Sequence, residues 1–470
     1  MEWFSKNKYW IAAGCLFALS VILRWFAASQ SPHPTGWDGY YYVMQVHSWM
    51  TYGYLQSPDF SLIYPFFTAI AFVTSDFILA YQVGVALLSG LLVVAVFYSL
   101  HKRHVAFGWI CIVCSYLLFS PLLTYFALQF PKNVLGLIFL VLFIASIPNR
   151  LPALIFLFAT VITHRMTGGF ALIIVTIYAV KNISLKWIIA GSVVLLLLSL
   201  LPGILHVSDL ARFKDQFGLM PHWAPYSFYK IFPNASTVWF KIDLVIVTGV
   251  ALIAMYLNVR KPDIYWIIIG IICIFPFFEF DAGSAGHRFF MLAPIAFIMA
   301  IPFEKFKFRY SAIPIGAFSI AAIFSIKSYS PAFFDPPNGT YRRIIAKLVA
   351  NYDPKNYPLV IVHKSLAEMI IFTTDFDALN WLPPKDMPAT HVLRLINGVY
   401  YPYFRKYLDE PDYKQVRAVS RDYFVAPEDV WQRFVTNAGK DSNTKVMADI
   451  FNGRNPMDER PYFLNKGKLR

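Results

Sequence analysis

Long apolar stretches separated by short polar segments occupy the chain up to about residue 327. Several of them, such as 77–100 and 187–205, exceed the ~18 residues that a helix needs to cross a hydrocarbon layer. The pattern predicts a polytopic α-helical membrane protein with about eleven transmembrane helices. Their approximate bounds are 9–28, 77–100, 106–126, 133–148, 151–163, 167–180, 187–205, 242–258, 264–278, 289–303 and 310–326.

Two longer segments, 29–76 and 206–241, separate some of these apolar stretches and are predicted to be outer loops. The first loop contains two amphipathic stretches, 39–52 and 61–74. The second of these is too short to cross a bilayer. We therefore expect both stretches to form interfacial helices on the outer membrane surface.

The distribution of basic residues predicts the orientation. Short segments assigned to the inner face hold twelve Lys and Arg, whereas three short outer turns hold one each: Lys132, Arg165 and Arg288. This asymmetry predicts a cytoplasmic N-terminus and an outer C-terminal segment. It also accounts for the net charge of +14 without nucleic acid as a partner. A bacterial inner membrane is the default location, with the C-terminal segment in the periplasm.

Composition excludes an ordinary soluble domain, because charged residues make up only 14% of the chain, against about 25% in soluble proteins. All four cysteines lie in apolar stretches. Cys111 and Cys114 form a C-x-x-C inside a predicted membrane helix, with no second pair. Packing explains them better than a zinc or redox site.

From about residue 328 the pattern changes to that of a soluble domain. A strand is predicted over 357–363, followed by a helix over 365–372 with Ser365 as N-cap and Glu368 at the third helical position. Another strand near 423–425 precedes a helix over 427–435. We predict a transmembrane domain, 1–327, and a small α/β or α+β domain, 328–470, on the outer face.

The candidate chemistry lies in ionisable residues at the predicted outer ends of the helices, where charges near hydrocarbon are costly. Asp38 follows the first span and precedes Tyr40, Tyr41 and Tyr42. Its carboxylate could accept a proton from a hydroxyl group or bind a divalent cation. An alternative is that Asp38 is simply a helix N-cap.

Two further groups lie in later outer turns. Glu279 and Asp281 could coordinate a metal ion or contact an acceptor, and His287 with Arg288 could hold a phosphate. Interfacial ion pairing is the alternative explanation. The second group is His164 with Arg165, with Lys132 as a weaker candidate in another turn.

Taken together, these features resemble the GT-C superfamily of membrane glycosyltransferases over about residues 1–330. The resemblance rests on the early acid in 37–42 (Trp-Asp-Gly-Tyr-Tyr-Tyr), on 63–67 (Ile-Tyr-Pro-Phe-Phe) opening the second interfacial helix, on the basic inner stop at 101–104, and on 288–294 (Arg-Phe-Phe-Met-Leu-Ala-Pro). An outer C-terminal domain is also frequent in that superfamily.

The resemblance implies transfer of a sugar from a polyprenyl-phosphate donor to a glycan, lipid or protein acceptor of the cell envelope. By analogy Asp38 would be the catalytic carboxylate, and Arg288, His287, Arg165, His164 and Lys132 would bind the donor phosphate. Tyr40, Tyr41 and Tyr42 could pack against the substrate.

The chain also departs from that superfamily. Asp38 has no acidic neighbour, and no second acidic motif follows the third span, where 129–133 reads Gln-Phe-Pro-Lys-Asn. These departures argue against a metal requirement and leave the cofactor open. The C-terminal domain has no Trp-Trp-Asp motif, which disfavours oligosaccharyl transfer to asparagine.

Two other functions compete with glycosyl transfer: a transporter or flippase for a lipid-linked glycan, and a glycan polymerase of the O-antigen ligase type. A transporter would need polar residues near the bilayer midplane and often has internal repeats. In this chain the ionisable residues cluster at predicted helix ends and no repeat is seen. A purely structural scaffold is the remaining alternative.

Overall fold

The computed structural model describes two parts of the chain, an N-terminal group of helices and a C-terminal group of helices and strands. The described residues are 2–36, 38–56, 61–164, 167–172, 174–175, 222–223, 278–279, 338–362, 364–379, 387–397, 416–419 and 423–438.

The N-terminal part is helical, and eight helices lie within its described residues. Their bounds are α1 Glu2–Ala28, α2 Gly39–Tyr52, α3 Ile63–Thr74, α4 Phe77–Lys102, α5 Phe107–Phe119, α6 Pro121–Gln129, α7 Pro131–Ser146 and α8 Arg150–Thr163. A two-stranded antiparallel pair follows, β1 His222–Trp223 and β2 Phe278–Glu279.

Two stretches of the described helices are long and apolar enough to cross a membrane, Asn7–Ala28 in α1 and Phe77–Lys102 in α4. They coincide with the first two predicted spans and support association with a membrane. The predicted spans from residue 187 onward lie outside the described residues, apart from the strand residue Phe278. The number of eleven spans therefore stays a prediction.

The third predicted span, 106–126, is wrong as a single helix, because the chain forms α5 and α6 there. The break falls at Ser120 and Pro121. Proline has no backbone N–H to continue the hydrogen bonds of α5, and it favours the first position of a new helix. The Ser120 hydroxyl accepts a hydrogen bond from the Leu123 N–H (3.1 Å) and caps α6.

Helices α1 and α4 pack against each other in opposite directions. At one end, the ring of Tyr9 lies 4.4 Å from the ring of His101, between centroids. At the other end, the Gln82 side-chain amide donates to the Ser31 carbonyl (2.9 Å). The N-terminus of α1 and the basic segment after α4 thus share one end of the bundle.

The opposite end gathers the segment after α1, the segment before α3, the start of α4 and the ends of α6 and α8. The Tyr81 hydroxyl donates to the carbonyls of Thr35 (2.9 Å) and Leu128 (3.1 Å). The Ser61 hydroxyl donates to the Thr163 carbonyl (2.7 Å) at the end of α8. All these groups are buried, so the hydrogen bonds fix how the helix ends meet.

The C-terminal part is a small α/β structure. Its described elements are α9 Asn338–Asn351, β3 Leu359–Ile361, α10 Lys364–Thr373, β4 Asp377–Leu379, β5 Val392–Asn397, β6 Arg417–Ala418, β7 Tyr423–Pro427 and α11 Glu428–Ala438. The strands form one mixed sheet in the order β4-β3-β5-β7-β6. β3 runs parallel to β4 and β5, whereas β7 is antiparallel to β5 and β6.

Helix α10 connects β3 to its parallel neighbour β4, as a crossover between parallel strands requires. Its buried face carries Leu366 and Ile370, both without solvent exposure, and Phe376 fills the turn that follows. The helix begins at Lys364, so Ser365 lies inside it. The prediction that Ser365 precedes the helix as its N-cap is therefore wrong. The predicted Glu368 lies in the helix and is buried.

By internal packing, the chain divides into two units. The first comprises 1–36 and 59–334, and the second comprises 37–58 and 335–470. Helix α2, from the first predicted outer loop, therefore groups with the C-terminal sheet.

Candidate functional site

In the second unit, Asp38 stands at the N-cap position of α2. Its φ and ψ angles are −101° and 11°, and its side chain accepts no hydrogen bond from the described amides of the first turn. The carboxylate is half-buried. The alternative explanation, that Asp38 is a helix N-cap, therefore lacks its side-chain hydrogen bond. Asp76 of the first unit is a contrasting case, because its carboxylate caps α4 through the N–H groups of Ile78 and Leu79.

The residues after Asp38 are almost fully buried. Tyr40, Tyr41 and Tyr42 expose 5%, 9% and 5% of their surface. Such burial gives the three tyrosines a packing role, and leaves little of their rings for contact with a substrate. Their predicted contact with a sugar or lipid stays a prediction.

Helix α2 packs on α10, and one aromatic residue lies at the centre of this contact. The Phe372 ring lies 5.9 Å from the Tyr40 ring and 5.8 Å from the His47 ring, between centroids. The His47 and Phe372 rings are perpendicular, a favourable edge-to-face arrangement. The sheet part of this unit thereby holds the helix that begins next to Asp38.

A cavity of about 350 Å³ lies beside this contact. Its walls come from α2 and the segment after it, and from the C-terminal end of α10 with the turn that follows. The lining residues are Met44, His47, Ser48, Tyr52, Gln56, Ile371, Phe372, Thr373, Thr374 and Asp375.

In the first unit, His164 ends α8 in an extended conformation and is 8% exposed. The Thr167 N–H lies 3.4 Å from the Nδ1 of His164. The Thr167 hydroxyl donates to the His164 carbonyl (3.0 Å). Gly136 of α7 allows this close approach, since a Cβ there would lie 2.9 Å from the His164 Cβ.

Lys132 lies in the first turn of α7, at the end of the bundle where α8 reaches His164. The neighbouring Asn133 is buried. The first unit thus brings Lys132 and His164 to one end of the bundle. Both side chains carry N–H groups of the kind that contact anionic groups.

Four predicted phosphate-binding or acidic residues, Arg165, Asp281, His287 and Arg288, lie outside the described residues. Glu279 is in β2, where its backbone pairs with that of His222 in the other predicted outer loop. The described residues include no group of three or more His, Cys, Asp or Glu that could hold a metal ion.

Comparison with known proteins gives no further assignment: no protein-family model matches the chain, and no curated protein does.

Sequence analysis missed the residues of the cavity. His47 lies in, and Tyr52 ends, the stretch 39–52, whose pattern predicts an interfacial helix. Phe372 lies in the predicted helix 365–372, where its apolar side chain indicates only packing. Asp375 follows α10 in a polar segment of a kind that is common in turns. The segments are more than 300 residues apart, so no local pattern could have joined them.

Proposed function

We propose that this protein is a glycosyltransferase of the GT-C type, which moves a sugar from a polyprenyl-phosphate donor to an acceptor at the outer membrane face. The observation that carries the proposal is Asp38, a carboxylate at a helix start that it does not cap. A half-buried acid without that structural role, ten residues after the end of a membrane-compatible helix, is a candidate for catalysis.

The proposed reaction is a displacement at the anomeric carbon of the donor sugar. Asp38 accepts the proton of an acceptor hydroxyl, whose oxygen forms the new glycosidic bond. The bond between the anomeric carbon and the phosphate oxygen breaks, and its electron pair leaves with the polyprenyl phosphate. Negative charge grows on that phosphate, so fixed cationic donors near it lower the barrier.

Arg288 would hold the departing phosphate, together with His287, Arg165, His164 and Lys132. Arginine suits this role because its planar guanidinium binds two phosphate oxygens at once. The positions of Lys132 and His164 at one end of the first unit support a shared role. A divalent cation at Glu279 and Asp281 is a further element to test.

The rest of the proposal concerns the setting of the reaction. The protein spans the membrane about eleven times, with residues 328–470 outside the cytoplasm, in a bacterial inner membrane. The acceptor is a glycan, lipid or protein of the cell envelope. A lipid-linked donor suits this site, because it stays in the membrane where the enzyme is.

The test measures release of polyprenyl phosphate by the full-length protein in detergent. A panel of short-chain polyprenyl-phosphate hexoses and pentoses serves as donor, and a membrane extract serves as acceptor. We expect release from at least one donor, with transfer of its sugar, and loss of both in Asp38→Asn. No release from any donor, with movement of lipid-linked glycan across sealed vesicles, would establish a flippase instead.

A further inference from the structure

The cavity beside Phe372 has the size and the walls of a small-molecule site. Its volume of about 350 Å³ falls in the range of ligand pockets, roughly 300–1,000 Å³. It lies wholly within the second unit, since α2 and α10 both belong there. Ordered helices form both walls, so the shape is largely fixed without a ligand.

The charge of the lining limits what can bind. The ten described residues that line the cavity include one carboxylate, Asp375, and neither lysine nor arginine. Among these residues only His47 could become cationic, so a phosphate or diphosphate would meet the negative charge of Asp375 with little compensation. The described lining therefore favours a neutral or amino-bearing ligand.

The polar groups in the walls favour a polar ligand over a lipid chain. Ser48, Gln56, Thr373 and Thr374 supply hydroxyl and amide groups. The Thr373 hydroxyl donates to the Met369 carbonyl (2.7 Å), which leaves its oxygen able to accept a hydrogen bond. The Thr374 hydroxyl donates to the Ile370 carbonyl (2.7 Å) and accepts from the Phe376 N–H (3.1 Å).

Aromatic faces complete the lining. Tyr52 is 37% exposed and stacks on Tyr54, with ring centroids 5.8 Å apart and planes 27° from parallel. The ring of His47 stands nearly perpendicular to Tyr52. A sugar ring presents an apolar C–H face and a rim of hydroxyl groups, and flat aromatic rings beside hydroxyl, amide and carboxylate acceptors match both features.

We propose that this cavity binds a sugar ring of the acceptor. The assignment of that sugar to an acceptor rests on the proposed function, and it narrows the acceptor to a molecule that already carries a glycan. Asp375 accepts hydrogen bonds from two neighbouring hydroxyl groups of the sugar, and Tyr52 packs against its apolar face.

The test uses full-length protein in detergent on a printed array of bacterial and mammalian oligosaccharides. The variants are Asp375→Asn and Tyr52→Ala, and Asp429→Asn is the matched control. Asp429 is an acid of the same unit whose partner is Arg433, outside the cavity. We expect wild-type protein to bind at least one glycan, each cavity variant to bind it at least tenfold more weakly, and the control to bind normally.

The cavity assignment is overturned if wild-type protein binds no glycan, or if both cavity variants bind as tightly as the control. Unfolding temperatures check that the variants fold, as expected for two exposed side chains. Binding needs no catalysis, so the two proposals fail separately. Donor turnover without glycan binding would contradict only the cavity assignment. Glycan binding that depends on the cavity residues, without donor turnover, would contradict only the proposed transferase function.

Discussion

The ring of Phe372, in α10, lies 5.9 Å from the ring of Tyr40, in the first turn of α2. Asp38 is two residues before Tyr40. The contact therefore ties the sheet of the second unit to the start of the helix that follows the proposed catalytic acid. If Asp38 is catalytic as proposed, the sheet part of this unit positions it from a distant part of the sequence.

Phe372→Ala should lower both stability and activity. The change removes the ring that contacts Tyr40 and His47, and loss of a partly buried phenyl group costs on the order of 1–3 kcal/mol. Phe372→Leu keeps apolar volume and should restore most of the stability and part of kcat. Chemical denaturation and donor turnover measure the two effects.

Val349→Ala is the control for Phe372, because Val349 is an exposed apolar residue of the same unit. It should change the free energy of unfolding by no more than about 0.5 kcal/mol and should leave donor turnover unchanged. A Phe372→Ala variant with normal kcat would show that α10 does not position Asp38.

Arg394 and Glu428 form a buried bidentate pair between β5 and α11, with distances of 2.6 Å from Nε to Oε2 and 2.9 Å from Nη2 to Oε1. Their side chains are 7% and 3% exposed. Arg394→Ala leaves the carboxylate of Glu428 buried without this partner and should cost about 3–5 kcal/mol.

The double change Arg394→Met with Glu428→Leu removes both charges and should regain most of the stability that Arg394→Ala loses. Denaturant unfolding of the wild-type protein and of both variants compares the two losses of stability. Equal losses of stability in the single and double variants would mean that the cost comes from lost packing of the two side chains. The buried, unpaired carboxylate of Glu428 would then not be its cause.

Alkaline pH should destabilise the second unit through Tyr352. Burial raises the pKa of Tyr352 to about 12, with Arg417 opposing the rise and Tyr357 adding to it. The unfolded pKa is about 10, so the folded state holds the proton more tightly. Its contribution to stability is full below pH ~10 and is lost as pH rises towards about 12.

Tyr352→Phe should remove the share of this alkaline loss of stability that comes from Tyr352, because the variant has no phenol to ionise. Unfolding followed across this pH range measures the effect. Tyr54→Phe, at an exposed tyrosine of the same unit, is the control for the loss of a phenol hydroxyl. Burial also raises the pKa of Tyr341, so some alkaline loss remains in the Tyr352 variant.

Hydrophobic periodicity predicted most of the local structure. The interfacial stretches 39–52 and 61–74 correspond to α2 Gly39–Tyr52 and α3 Ile63–Thr74, and the sheet residues near 423–425 fall in β7. Apolar patterning reports local burial, so it finds elements of this kind. It missed the break at Pro121, because the apolar run continues through it.

The candidate site was predictable only in part. Asp38 stood out because an acid beside a membrane span is costly. The partnership of α2 with α10 depends on contacts between segments far apart in the chain, and on aromatic residues that are equally common in a membrane helix. Nothing in the pattern near Phe372 or Asp375 indicates their partners.

Arg288→Ala should weaken binding of the donor lipid if Arg288 holds its phosphate. Arg288→Lys should restore binding only in part, because an ammonium group cannot form the bidentate contact. Donor affinity is measured with a non-transferable phosphonate analogue, so that turnover does not intervene. Affinity unchanged in the alanine variant removes Arg288 from the phosphate site.

Asp38→Asn tests the catalytic assignment at nearly constant side-chain volume. Because Asn occupies the N-cap position of a helix as readily as Asp, the variant should still fold. Loss of a general base should nevertheless reduce kcat by about 10²–10⁴-fold, since an amide cannot accept the proton. Asp76→Asn is the matched control: it replaces an acid that does cap its helix, and it should keep full activity. A folded Asp38→Asn protein that transfers sugar at the wild-type rate would remove Asp38 from the mechanism and make Glu279 and Asp281 the next acids to test.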